Sequence, residues 1–351
     1  MSAHHSLPLL LLPLVAFGCS RDGPTSPQDR APPAARSAAR ASAHQRIVVG
    51  HDRARCGHAD FASIQAAVDA ADPGETILVC PGTYNEWIVI TKDDLRLLAK
   101  GKPGDVVLDG QNAMGSSCTP TSTAAVHCAA FLLDNAHGNL IEGFVVRRYW
   151  EAGIWLRMAS SGNTIRNNVT TESPHHDGIQ LAGSNDNVIE HNVAIDNPAT
   201  NACGINIAVG SAANLVRHNR LVNNEWGIQI VGTATAMTRD NVILNNTSLG
   251  NRGNGIRNLA FTAGTVIEAN HAVRNGFTPS PLTSPPGGMN TAAGIRIASG
   301  TGIVVRRNHA LHNRLVDVLK ETAATATFEH NRCGTSSPDG LCDGSRSTTA
   351  P

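Results

Sequence analysis

The stretch Asn187-Val188-Ile189-Glu190-His191-Asn192, NVIEHN, decides the fold because the chain repeats it with variation. Aligned without gaps, the copies are NLIEGF (139–144), NTIRNN (163–168), NVIEHN, NLVRHN (214–219), NVILNN (241–246), TVIEAN (265–270), IVVRRN (303–308) and ATFEHN (326–331). After Phe144 in the first copy, the closing residue is always asparagine: Asn168, Asn192, Asn219, Asn246, Asn270, Asn308 and Asn331. The steps between these asparagines are 24, 27, 27, 24, 38 and 23 residues. A second marker keeps phase with the first: Gly153-Ile154, Gly178-Ile179, Gly204-Ile205, Gly227-Ile228, Gly255-Ile256 and Gly294-Ile295. Two markers that stay in phase through every copy define a repeat architecture.

Each unit holds short β-branched stretches and no helical apolar period, so it reads as one coil of a parallel β-solenoid. Neighbouring coils then stack at roughly 4.8 Å. The closing asparagine is expected at a bend between strands, in the left-handed backbone region that Asn tolerates better than most residues. Stacked coil upon coil, its amide both donates and accepts, which satisfies groups that the bend leaves unpaired.

Upstream, DFASIQAAVDAADPGETILVCPGTYNEWIVI (60–90) places Phe61, Ile64, Val68 and Ala71 at helical spacing. Asp72-Pro73-Gly74 stops that helix, and strand-like runs follow. An amphipathic helix is a natural cover for the apolar cross-section of a first coil. SIQAAVDAADPGETILVCPGTY (63–84), followed by LRLLAKG (95–101) and VVLDG (106–110), resembles the opening of secreted right-handed parallel β-helix proteins, the pectin-lyase-like group. With the repeats, the resemblance covers residues 46–334. It implies an all-β fold, a single-stranded right-handed parallel β-helix with an N-terminal capping helix. It implies no one chemistry, since the group spans lyases, hydrolases, epimerases and binding proteins.

The ends read differently. LPLLLLPLVAFG (7–18) has the length of a signal-peptide core and is short for a membrane span. Ala16-Phe17-Gly18-Cys19 resembles a bacterial lipobox, which would make Cys19 a lipidation site and anchor the protein to the cell envelope; plain secretion is the alternative. Residues 1–18 are thus read as a signal peptide, 19–45 as a Pro/Ser/Ala-rich disordered tether, and 335–351 as a C-terminal tail. Three close cysteine pairs, 56–80, 118–128 and 333–342, suit an oxidising compartment, and Cys203 is left as a small packed side chain. Lys+Arg 28 against Asp+Glu 28 gives no net charge, so no global field draws nucleic acid or an anionic membrane. A monomer is expected.

Along the Gly-Ile strand, the isoleucine and the residue two later should point inward and the residue between outward. The outward row is Trp155, Gln180, Asn206, Gln229, Arg257 and Arg296, a candidate floor for a sugar chain carrying carboxylates, or else ordinary solvent-facing side chains. The turns before this strand differ most in length, and the longest, NGFTPSPLTSPPGGMNTAA (275–293), could lid the groove or be a floppy excursion. Two stacked turns bring Arg148, Tyr149, Trp150 and Glu151 towards His175, His176 and Asp177, with Asp196 beyond.

In related β-helix enzymes, uronate chemistry needs a neutralising partner for the carboxylate, a base for the C5 proton and an acid for the leaving oxygen. That resemblance implies Arg148 as neutraliser, His175 or His176 as base, Tyr149 as acid and Asp177 as the group orienting an imidazole. Ser173-Pro174-His175-His176 also resembles the Asp-Pro-His motif of mannuronan C5-epimerases, with Ser173 where the acidic residue stands. A solvated turn is the competing reading. No metal motif is present, and calcium is the one cofactor that this kind of chemistry brings into view. The expectation is therefore an exported β-helix that binds or modifies acidic polysaccharide, by lyase or epimerase chemistry if catalytic. The alternative is a non-catalytic surface module that recognises a glycan or a protein.

Overall fold

The computed structural model describes residues 46–51, 56–111, 128–197, 199, 202–277 and 292–344, with the backbone of 346–347. Over these residues the chain winds as a right-handed parallel β-helix whose three sheets hold 13, 11 and 10 strands. The coil that contains NVIEHN shows the plan. Val188–Glu190 lies in sheet I, Val193–Ile195 in sheet II and Cys203–Ala208 in sheet III. Sheets I and II meet across a two-residue corner, and sheet III follows a longer turn. The register matches the sequence alignment: Ile165, Ile189 and Val216 pair in sheet I, and Ile179, Ile205 and Ile228 in sheet III.

Three-residue strands turn only their central side chain inward, so sheet I gives the core a single buried column of Ile141, Ile165, Ile189, Val216, Ile243 and Ile267. Sheet III adds two columns per strand, such as Ile179 with Leu181 and Ile205 with Ile207, all fully buried. Asn258 interrupts the second column and bonds inside to Thr262 Oγ1 at 2.7 Å and to the Ser299 carbonyl at 2.7 Å. The Gly-Ile marker acquires a steric cause. A Cβ on Gly178 would lie 2.8 Å from the Gly204 carbonyl, and one on Gly204 would lie 2.9 Å from the Gly227 carbonyl. Successive backbones pass too closely there for a side chain.

The closing asparagines form the expected internal ladder. Asn168 Nδ2 donates to Asn192 Oδ1 at 3.2 Å, Asn192 to Asn219 at 3.1 Å, Asn219 to Asn246 at 3.0 Å, and the chain of bonds continues through Asn270 and Asn308 to Asn331. Two further ladders run beside it. One joins Asn139, Asn163, Asn187, Asn214 and Asn241 ahead of sheet I. The other joins Asn197, Asn224, Asn251, Asn275 and Asn313 behind sheet II, and ends on the carboxylate of Asp317. A carboxylate is a fitting terminus, since its oxygens accept without having to donate onward.

One expectation about the bend is corrected. The left-handed residue is the one before the ladder asparagine: Asn167, His191, His218, Asn245, Ala269, Arg307 and His330 all have φ between 52° and 56°. The asparagine is selected for its buried amide, and the strained backbone falls on a neighbour whose side chain reaches solvent. This also places His191 and His218, whose rings stack 5.0 Å apart on the surface. A charge column missed in the sequence lies on the outer face of sheet I, where Glu142, Arg166, Glu190 and Arg217 alternate in register. Glu142 and Arg166 pair at 2.8 Å and Glu190 and Arg217 at 2.6 Å.

The expected capping helix spans Ile64–Ala70 and buries Ile64, Ala67 and Val68 against the first strands. Its N-cap, Ser63, donates its hydroxyl to Glu86 Oε2 at 2.7 Å, and the amides of Ile64 and Gln65 donate to the same carboxylate at 3.0 Å. At the other end, Thr335–Ser337 and Arg346–Ser347 extend sheet III, so the stack runs beyond residue 334. Disulfides Cys56–Cys80 and Cys333–Cys342 match two of the expected pairs. Cys128 is also disulfide-bonded, and Cys118 lies outside the described residues, as do the signal segment, Cys19 and the tether.

Candidate functional site

The outward row of sheet III is in register as expected: Trp155, Gln180, Asn206, Gln229, Arg257 and Arg296 are direct neighbours on successive strands. It is not a row of free solvent-facing groups. Asn206 and Gln229 are 6% and 9% exposed. Gln229 Nε2 donates to Asn206 Oδ1 at 3.0 Å, Asn206 Nδ2 donates to Asp177 Oδ2 at 2.9 Å, and Arg257 Nη2 donates to Gln229 Oε1. Arg257 also stands over the Trp226 ring, 3.1 Å from its centre, and burial brings its pKa down to about 10. Arg296 Nε donates to Glu321 at 2.7 Å.

Asp177 closes this chain of bonds. Its carboxylate is fully buried and also accepts from the Cys203 amide at 2.7 Å, while His176 Nδ1 bonds to Oδ2 at 3.0 Å. The imidazole of His176 is about one-third exposed. Its pKa is raised, chiefly by the bond to Asp177 and against the effect of burial, with the charges of Asp177 and Glu151 adding to the rise. The result is a hydrogen-bonded line, His176–Asp177–Asn206–Gln229–Arg257, that crosses four coils with a half-open imidazole at one end. Of the two histidines, the structure ties His176 to Asp177, whereas His175 is exposed and stacks on Trp150 with ring centres 4.4 Å apart. Cys203 is buried beside Asp177, and burial raises its thiol pKa well above the ordinary value, as befits a packed side chain.

Two expected site residues face elsewhere. Tyr149 is 1% exposed and donates its hydroxyl to the Glu86 carbonyl at 2.6 Å. Burial pushes its pKa far above the usual range, so it holds its proton tightly, and that proton is already given to the Glu86 carbonyl. Arg148 is committed to Asp109: Nε donates to Oδ1 at 2.8 Å, and Nη2 reaches Oδ2. Arg147 Nε shares that carboxylate at 2.9 Å. Asp109, at the end of the strand Val106–Asp109, is thus a buried anchor for two arginines. Burial alone would raise its pKa, but the Arg148 bond, the Gln111 amide and the two guanidinium charges hold it below the ordinary value. The possible lid is outside the described residues over 278–291.

Sequence reasoning missed Glu225 and Trp226, at the turn that leads into the strand Trp226–Ile230. Glu225 is 1% exposed, and its charge acts on Arg257 and on Cys203. The only signal was an acid-aromatic pair just before a Gly-Ile marker.

A family profile described as "Periplasmic copper-binding protein (NosD)" matches residues 109–236. No curated protein matches the chain. Among solved structures, the pectate lyase Pel9A is 17% identical, with a TM-score of 0.51, over 86% of this chain and 74% of its own. The A-module of the Azotobacter vinelandii mannuronan C-5 epimerase AlgE6 is 16% identical, with a TM-score of 0.50, over 82% of this chain and 95% of its own. At such identities the shared property is the fold, and these neighbours establish the parallel β-helix.

Copper is named in the description of the profile, so its fit can be tested on the donors. Among the described residues, no three His, Cys, Asp or Glu side chains are grouped to hold an ion. Within 109–236, His176 gives its Nδ1 to Asp177, His175 stacks on Trp150, and Cys203 is buried. The His191 and His218 rings are stacked with their planes 5° apart, so their in-plane nitrogen lone pairs run side by side instead of converging on one ion. The described residues do not fit a resident copper ion.

Proposed function

We propose that the protein is an exported β-helix that binds a polysaccharide along the outer face of sheet III. The observation that carries this reading is the hydrogen-bonded line from His176 to Arg257, which pre-orders polar side chains across consecutive coils on one face. A fixed row costs less to bind against than one that must order on contact. Trp155 stands in the same row, Trp226 stacks with Arg257 of that row and Trp150 stacks on His175 in the turn that leads to it, so three half-buried indoles supply flat apolar surface for sugar rings. Export is supported by the disulfides Cys56–Cys80 and Cys333–Cys342, by the periplasmic description of the matching family, and by the apolar leader ahead of Cys19. Lipid anchoring through Cys19 is part of the same proposal.

A second reading, in which the bound chain is also modified, is favoured by the His176–Asp177 pair. A raised pKa keeps more of the imidazole protonated near neutral pH, so it suits a proton donor. The commitments of Tyr149 and Arg148 remove the second proton carrier and the neutralising group that lyase or epimerase chemistry would use. Binding is therefore the primary reading. The test is incubation of the full chain with a glycan panel, reading binding by calorimetry, unsaturated products by ultraviolet absorbance and inversion by proton NMR. Binding without products supports the module. Products that vanish in His176→Asn establish the enzyme. Binding that no sheet III substitution weakens would refute the site.

A further inference from the structure

We infer that the polysaccharide held on sheet III is a neutral glycan rather than a polyuronate; this deepens the proposed function and rests on it. The expectation of an acidic chain came from Arg148, Arg257 and Arg296, and each is already engaged inside the protein. Arg148 is held by Asp109. Arg296 is paired with Glu321 at 2.7 Å. Arg257 is tied to Gln229 and stacked on Trp226, and the opposite charges that act on it, Asp177 and Glu225, are both buried close by. Glu151 adds a further negative charge at the His176 end. A polyanion approaching this face meets guanidinium groups whose charge is matched by carboxylates, so it gains no net attraction and would have to break existing pairs.

The groups left to meet a ligand are of another kind. Gln180 stands between Trp155 and Asn206 in the row; the residue is half-buried, and its Oε1 is turned inward without a hydrogen-bond partner. Such an acceptor is unfavourable as it stands, and a turn of the half-buried side chain outward would let a sugar hydroxyl donate to it. The tryptophans are braced beforehand. Trp150 lies against His175, Trp226 against Arg257, and the Arg157 guanidinium, itself paired with Asp134 at 2.7 Å, stands 5.4 Å from the centre of the Trp155 ring. Braced aromatic surface interspersed with amides complements a sugar ring, whose C–H faces are apolar and whose edge carries neutral hydroxyls.

The test compares neutral gluco-, manno-, xylo- and galacto-hexasaccharides with oligogalacturonate and oligomannuronate, by calorimetry on the full chain at low and high salt. The expected result is that at least one neutral probe binds with an affinity that salt changes by less than about twofold, since screening acts on charge pairs. Trp155→Ala and Gln180→Ala should each weaken it by about tenfold, the loss expected when about 1.4 kcal/mol of contact is removed. Thermal melts of both variants separate lost contacts from lost folding, and Gln180→Ala, which deletes an unpartnered acceptor, should melt no lower than the parent. Tighter, salt-sensitive binding of a uronate probe to the same face would overturn the neutral class and leave the groove standing. Binding to no probe of either class, or binding that both variants leave intact, would overturn the groove together with the inference.

Discussion

Asn219→Leu tests the internal ladder at its centre. Asn219 Oδ1 accepts from the Asn192 amide at 2.9 Å and from Asn192 Nδ2 at 3.1 Å. Its Nδ2 donates to the Ile189 carbonyl at 2.8 Å and to Asn246 Oδ1 at 3.0 Å. Leucine removes all four bonds, but their consequences differ. Asn192 Nδ2 keeps the Ile165 carbonyl, and Asn246 Oδ1 keeps the amide of residue 219. The Ile189 carbonyl lies in the strand paired with Leu215–Arg217 and keeps its ladder partner, whereas the Asn192 N–H loses its bond at a position 1% exposed, where water cannot replace it. At about 1–3 kcal/mol for that stranded group and about 0.5–1.5 kcal/mol for the bond lost at the Ile189 carbonyl, the loss is about 1.5–4.5 kcal/mol. With roughly 2–4 °C of melting temperature per kcal/mol for chains of about this size, calorimetry should show a drop of at least about 3 °C. Hydrogen exchange should show lost protection at the Asn192 amide. A melt within about 1 °C of the parent, with that amide still protected, would refute the ladder as a stabilising element.

Asp177→Asn removes the charge that holds the His176 pKa up, so the imidazole titration followed by NMR should move to lower pH; an unmoved titration would break the assigned pair. Because the folded pKa of His176 is raised above 6.5, its contribution to stability is full below that value and is lost as pH rises through the folded pKa. The melting difference between the parent and His176→Asn should shrink over that rise. Asp109 has the opposite sign: its pKa is lowered from 3.8, so its contribution is present above that value and lost as pH falls through the folded pKa. Acid melts of Asp109→Asn should converge on the parent at the low end. Ala269→Gly should stabilise by about 0.5–1 kcal/mol, since relief of left-handed strain at φ 54° exceeds the added chain entropy; chemical denaturation checks the sign.

The repeat made the architecture legible, because periodic spacing in a solenoid translates directly into lateral neighbours. The row from Trp155 to Arg296 and the ladder from Asn168 to Asn331 both followed from counting. The other two ladders were written in the same letters. Asn187, Asn192 and Asn197 stand five residues apart, as do Asn214, Asn219 and Asn224, yet an asparagine in a variable turn reads equally well as a solvated residue until its burial is known. The site was harder for a related reason. Residue type shows what a side chain can do, but its commitments come from distant segments: Tyr149 is claimed by Glu86, 63 residues earlier, and Arg148 by Asp109, 39 residues earlier. Neither partner lies in the repeat register that located the turn.

The most direct measurement is hydrogen exchange of the full chain with and without the tightest-binding glycan of the hexasaccharide and oligouronate panel. The account predicts added protection along sheet III, over 152–157, 179–182, 203–208 and 226–230, and in the turn around His176. Protection confined to sheets I and II, or spread evenly over the rod, would contradict it.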